Sequence, residues 1–449
     1  MRSPRSFSIH TRLVLLLALA CLSVVATADE GPSADGSAPA EPGSMTPAGS
    51  APALADGPVC IVGARVHAVV AAPAYATVCM ENGVITSVRN APAPAGAVVV
   101  DGRGAVLTPG LIDAQSQLGL LEVNAVPETR DADAGTGHEI RAAFRVAPGL
   151  NPFSMVVPIT RSGGVTSVVS VPGGGLVSGQ AALWDLGPAD ATDLVVRDSA
   201  YLVVPFTGRA LREDSRSRRL ARLDEIFDDA RVRAENPEAF EERRMRDLAA
   251  HRLDLIALEE VRLAGTPVLF QAQRVADARA LLALAERHGL RPAFTGLADG
   301  WRIAPELAEA GAFVMVHPMR NLPAQFDELG AREDAAALLD EAGVPVILTT
   351  GTTHNGRNLR FIAGNAVRAG MSAESALRAV TLHPAMLAGV GDTHGAIEVG
   401  RVANLVLWSG DPFEFSSRPV AVWVRGEALP LEHRQDALRE RHRERGVYD

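Results

Sequence analysis

Apolar residues are distributed along this chain in patterns that change several times. A basic stretch holding Arg2, Arg5 and Arg12 leads into an apolar run, Leu13 to Val25, closed by Ala26-Thr27-Ala28. Basic flank, apolar centre and small-residue end are the parts of a signal peptide over residues 1–28, with cleavage expected after Ala28. The run is shorter than the roughly 20 apolar residues a membrane span needs. No stable span is therefore expected, and a periplasmic or secreted protein is. Residues 29–56 are rich in Ala, Pro, Gly and Ser with almost no large apolar side chain. Such a stretch cannot offset its ordering entropy and reads as a flexible linker.

Short apolar runs follow from Val59 to Leu107 (Cys60-Ile61-Val62, Ala97 to Val100, Ala105-Val106-Leu107), separated by Gly-containing turns as in a small β-sheet unit. From Leu111 to Leu387 the period changes. Strand-like runs (Val165 to Val171, Tyr201 to Val204, Pro267 to Phe270, Phe313 to Val316, Val344 to Leu348) alternate with amphipathic helical stretches. That alternation predicts parallel βα units closed into an α/β fold, a (β/α)8 TIM-type barrel over residues 109–388. Between Arg209 and Leu263 the pattern is helical and Arg/Glu-rich, with a break at Asn236-Pro237-Glu238 and charges read as a solvated face. After Pro384 short strands return (Ala403 to Trp408, Val420 to Val424). Residues 57–108 and 389–430 are thus expected to form a small β-sandwich domain. A charged helix, Glu432 to Arg445, is expected within a C-terminal segment 431–449.

Composition narrows the chemistry. A net charge of -10 argues against a nucleic-acid partner, because phosphate binding needs clustered cations. All 43 basic residues are Arg, which excludes a phosphate-binding, Schiff-base or carbamylated lysine. Removal of the leader leaves two cysteines, Cys60 and Cys79, which an oxidising compartment permits to pair and which equally read as buried thiols. The run Gly173 to Gln180 reads as a βα loop at the barrel mouth, without the spacing of a phosphate loop.

One pattern recurs at strand ends. Gln115 and Gln117 follow Leu111-Ile112-Asp113, and Gln271 and Gln273 follow Val268-Leu269-Phe270. Strand residues two apart face the same side, and at the carboxyl end of a barrel strand one side is the lumen, where active sites form. Four amides would then converge on one mouth. The other reading is of ordinary polar side chains that hydrogen-bond one another near solvent.

The segment Thr108-Pro109-Gly110-Leu111-Ile112-Asp113-Ala114-Gln115-Ser116-Gln117-Leu118-Gly119 resembles the first-strand motif of the amidohydrolase superfamily. That motif reads Pro-Gly-Leu-Ile-Asp-x-His-x-His-x-Gly, and its two histidines bind metal. Ala376 to Ala385 resembles the family's segment after the last strand, and Gly395 to Trp408 its return into the small sheet. The resemblance runs from about residue 59 to 427 and is nearest to the imidazolonepropionase-like and dipeptidase-like secreted members. It implies a metal-dependent hydrolase of C–N bonds, yet the ligand positions depart from it. Gln115 and Gln117 replace the first-strand histidines, Gln271 and Gln273 a related His-x-His pair, and Thr295 a further histidine. Gly351 or Thr352 stands where the last-strand aspartate belongs.

The departures matter chemically. A catalytic zinc needs about three imidazole, thiolate or carboxylate ligands plus a water, and a base to take that water's proton. Glutamine is a poor zinc ligand and no base. The expectation is a chain without a metal or other cofactor that does not hydrolyse by the family route. The alternative is a zinc site rebuilt from His138, His317 and His354 with Asp299 or Glu128. His383 is expected to make a structural hydrogen bond. Arg274, Asp299, Trp301, Arg320 and His354 are candidates to line the mouth and bind a small-molecule or dipeptide-like ligand, since Arg clamps carboxylates. Three functions compete: a non-catalytic binding protein, a hydrolase with a non-standard site, and a structural subunit. A homo-oligomer or a hetero-oligomer with an active paralogue is compatible with the first and third.

Overall fold

A computed structural model of the chain describes residues 57–135, 139–207 and 214–443. The expected signal peptide, the linker and His138 lie outside the described residues.

The first strands alternate buried and open positions, as a half-buried sheet requires. β1 (Val59–Val66), β2 (Ala74–Glu81), β3 (Val84–Arg89), β4 (Val98–Asp101) and β5 (Val106–Pro109) open the chain. The ladder branches on β1. Val59 to Val62 pair with β4, while Arg65 and Val66 pair with β5, on either side of a register irregularity between Ile61 and Ala64. Cys60 and Cys79 face each other across β1 and β2 and form a disulfide.

The second sheet holds eight strands in sequence order: β6 (Leu111–Ser116), β7 (Val165–Ser170), β8 (Gly179–Asp185), β9 (Val195–Pro205), β10 (Pro267–Ala272), β11 (Arg291–Gly296), β12 (Phe313–Val316) and β13 (Val346–Leu348). It curls into a nearly closed barrel. Helices such as Val275–His288 and Leu359–Arg368 bury one face against it.

One strand departs from the all-parallel expectation: β8 runs antiparallel to both β7 and β9. The connections 171–178 and 186–194 contain no helix. A short connection reverses the chain, whereas a parallel partner needs a crossover of a dozen or more residues. The Gly-rich run Gly173 to Gln180 therefore enters a strand and is not a βα loop. The charged region after residue 213 breaks at Asn236, between helices Arg216–Glu235 and Pro237–Glu241. Its charges are not all solvated. Asp229 is fully buried, accepting from the Ala249 N–H at 2.6 Å and pairing with Arg246. Arg219, also buried, donates to the Pro205 carbonyl at 3.0 Å.

The barrel is joined between its last and first strands by a side chain. Asp113 on β6 is fully buried and accepts from Thr349 Oγ1 (2.5 Å), from the Thr350 N–H (3.3 Å) and from the Thr350 hydroxyl, all just past β13. After the barrel, β14 (Leu405–Trp408), β15 (Pro419–Val424) and β16 (Glu427–Leu429) rejoin the first sheet through β14 on β5, in the order β16-β15-β14-β5-β1-β2-β3. Its apolar side includes Ile61, Leu107, Leu405 and Trp423. The last described helix, Arg434–Arg443, buries no residue.

Candidate functional site

Residues at and just past the carboxyl ends of β6 and β10 to β13 surround a cavity of about 70 Å³. This is the end of the barrel where the scaffold leaves side chains free of ladder constraints. Gln115, Gln273, Thr295, His317, Thr349 and Gly351 line it from the strand ends, and Arg320, Glu328 and Arg332 from the segment after β12.

The two Gln-x-Gln pairs do not converge as four amides. Gln115 and Gln273 line the cavity, while Gln117 and Gln271 stand outside its wall. Gln115 Oε1 accepts from Thr295 Oγ1 at 2.8 Å, so two positions of the family motif are tied together by a neutral hydrogen bond. Gln273 is used at both ends. Its Oε1 accepts from the Ala298 N–H at 3.3 Å and its Nε2 donates to Glu328 Oε1 at 3.3 Å. Gly351 adopts a left-handed φ of 57°, a conformation glycine reaches without a Cβ penalty.

Of the remaining candidates, Arg320 reaches the cavity wall and His317 lies beside it. The His317 Nδ1 is buried without a protein partner. Burial, with Arg320 adding to it, holds the His317 imidazole below its ordinary pKa, so it is neutral at pH 7. The others are engaged elsewhere. Arg274 stands at the residue before the helix Val275–His288 and forks onto Asp277 at 2.8 and 3.1 Å. Asp299 lies 3.6 Å from Arg302 Nε. Trp301 donates to the Gly330 carbonyl at 3.0 Å between the guanidinium groups of Arg302 and Arg332. His354 is exposed and donates to the Glu122 carbonyl at 2.8 Å, and Glu128 is exposed on the turn Pro127–Thr129. His383 donates through Nδ1 to the Val346 carbonyl at 2.7 Å.

The sequence reading missed Glu328, Arg332 and Thr349. The first two sit in an irregular segment where no period applies. Thr349 could have been found from its place immediately after a strand-like run.

The fold family implies a zinc ion at this mouth, and the donors present do not suit one. Around the cavity stand amides, hydroxyls, one imidazole and Glu328, whose two oxygens take hydrogen bonds from Gln273 and from the Ala324 N–H. Among the described residues no three His, Cys, Asp or Glu side chains are grouped so as to hold a metal. Zinc calls for about three such ligands.

Comparison with known proteins gives a consistent relationship. The profile of the amidohydrolase family matches residues 280–429. Amidohydrolase tasK of Hapsidospora irregularis is 23% identical over 393 residues, 78% of this chain but 39% of its own length. Imidazolonepropionase of Pseudomonas putida (strain GB-1) is 42% identical over 59 residues, 13% of each protein. This chain therefore spans well under half of either curated relative. Over most of its length it superposes on the crystal structure of an amidohydrolase from Thermotoga maritima MSB8, with a TM-score of 0.76 and 25% identity over 83% of this chain and 99% of that one. With motif, profile and fold in agreement, the chain belongs to the amidohydrolase superfamily.

Proposed function

We propose that this protein is a non-catalytic member of its superfamily, an exported barrel that binds a small ligand or a partner protein without metal-dependent turnover. The observation that carries this reading is the hydrogen bond from Thr295 to Gln115 at the barrel mouth. Two positions where the family resemblance implies imidazole ligands are neutral and satisfy each other. An amide preserves the size and hydrogen-bonding capacity that keep the mouth folded. It cannot lower the pKa of a bound water or take its proton.

Export is supported by the leader-like pattern of residues 1–28 and by the Cys60–Cys79 disulfide, since such bonds persist in oxidising compartments. A partner role is supported by Met319, Leu322, Phe326 and Leu329, exposed on the segment that lines one side of the mouth.

The test is the metal content of the purified mature protein, by elemental mass spectrometry after exposure to zinc and manganese. Less than about a tenth of an equivalent is expected, because a site short of ligands loses most of its affinity. One or two equivalents, with hydrolysis of small amides or dipeptides that a chelator abolishes, would instead establish a hydrolase with a non-standard site.

A further inference from the structure

Resting on the reading of the mouth as a binding pocket, we propose that it is a subsite for the carboxylate group of a short-chain carboxylic acid. Arg320 and the Nε2 amide of Gln115 hold the carboxylate, and the imidazole of His317 contacts the same ligand.

Arg320 makes no ion pair among the described residues, although most arginines of this chain sit against a carboxylate. Its guanidinium stands near Gly351, three residues past the last barrel strand: a Cβ added there would lie 3.6 Å from Arg320 Nη2. A guanidinium offers a planar fork of donors that matches a carboxylate edge-on. Across the cavity the Gln115 carbonyl oxygen is already taken by Thr295, which leaves the amide N–H groups as what that side chain presents. His317 supplies the third contact. Its ring lines the same wall as Gln115 and Arg320.

Size and charge select the class. A cavity of about 70 Å³ has room for a small acid. The Glu328 carboxylate in the same wall disfavours a dianion such as phosphate, whereas one negative charge is matched by Arg320. The second cation on the wall, Arg332, is already paired with Asp334 and stacked on Trp301.

The experiment titrates acetate, propionate and glycolate into the purified metal-analysed protein, each against its own amide (acetamide, propionamide, glycolamide). Binding is followed by the ring signals of His317 in NMR spectra, with His317→Gln assigning them. Acids are expected to bind about tenfold or more tightly than their amides, the worth of a charge-assisted hydrogen bond. Arg320→Gln should remove that preference without moving the thermal midpoint, and Arg320→Lys should retain part of it. Equal binding of acid and amide, a preference that survives Arg320→Gln, or no response of His317 at any acid concentration would each overturn the proposal. Failure here is separable from failure of the functional reading. A metal-free protein that ignores carboxylates refutes only the subsite, while a metal-loaded protein whose carboxylate preference still depends on Arg320 refutes only the metal-free reading.

Discussion

Asp113 gives the sharpest test of how this barrel is held together. It is fully buried, and three donors from the segment after β13 converge on it: both threonine hydroxyls and the Thr350 N–H. Asp113→Val takes the carboxylate from all three and leaves the hydroxyls only their longer contacts to the Gln115 and Thr352 carbonyls, at 3.5 and 3.3 Å. An unsatisfied buried donor costs about 1–3 kcal/mol, and hydroxyls recover part of that by rotating, so a loss of about 3–5 kcal/mol is expected. Against a total stability of about 5–15 kcal/mol this is a large fraction. Adding Thr349→Val and Thr350→Val to Asp113→Val removes the orphaned hydroxyls, and the triple variant should recover about 2 kcal/mol relative to the single one. Urea unfolding followed by circular dichroism measures both differences.

The pH dependence carries independent information. Burial, the dominant effect, holds the Asp113 carboxyl above its ordinary pKa despite its hydrogen bonds from Thr349, Thr350 and the Gln115 N–H. Between the ordinary and the raised value the unfolded chain has released this proton and the folded chain has kept it. Stability therefore falls as pH rises through that window. Asp113→Val should lack this component. A single variant that loses less than about 1 kcal/mol, or a triple no more stable than the single, would refute closure by these hydrogen bonds.

Two further outcomes follow from the sheet and its junction with the barrel. Asp185 on β8 is fully buried and accepts from Ser167 Oγ at 2.7 Å, Asn404 Nδ2 at 2.9 Å and Arg425 Nε at 2.7 Å. Its pKa is lowered because His394 and Arg425 outweigh burial, so its stabilisation is present above the ordinary carboxylate range and is lost as pH falls through the lowered value. Arg425→Ala should cost about 3 kcal/mol and move acid unfolding to higher pH, as read from midpoints between pH 3 and 7. Replacing Cys60 and Cys79 together by Ala opens a link between residues 19 apart in sequence. A loss of about 2–4 kcal/mol is expected, and a midpoint unchanged from the oxidised protein would show that the bond does not constrain the unfolded chain.

What could be read in advance depended on how each element is encoded. The barrel strands are fully apolar runs, and their order follows from alternation with helices. β8 eluded that logic because a buried run such as Gly179–Asp185 has the same pattern in either direction. Only the connection decides, and a Gly-rich stretch without helical periodicity reads equally as a loop or as the turn of a hairpin. The small sheet was legible as two separated groups of strands, because short apolar runs there are divided by Gly-containing turns. Its branching on β1 was not, since pairing between distant segments leaves no local signature.

The mouth was harder to read for a related reason. The twofold period that places Gln115 and Gln117 on one side holds only while the backbone is extended, and β6 ends at Ser116. Gln117 lies past that end and leaves the cavity wall. On β10 the outcome is inverted: Gln271, still in register with Thr295, stays out, and Gln273, one residue past the strand, turns in. Arg274 shows the same limit at a helix start. Asp277 stands three residues on, where a helix brings the two side chains together, so the guanidinium is consumed locally. Arg320 has no such neighbour, and the segment after β12 carries it to the cavity with its charge uncompensated. Sequence spacing thus identified the residue types at this mouth. Which of them face the cavity is set by where each strand stops and by which charges are neutralised within their own turn.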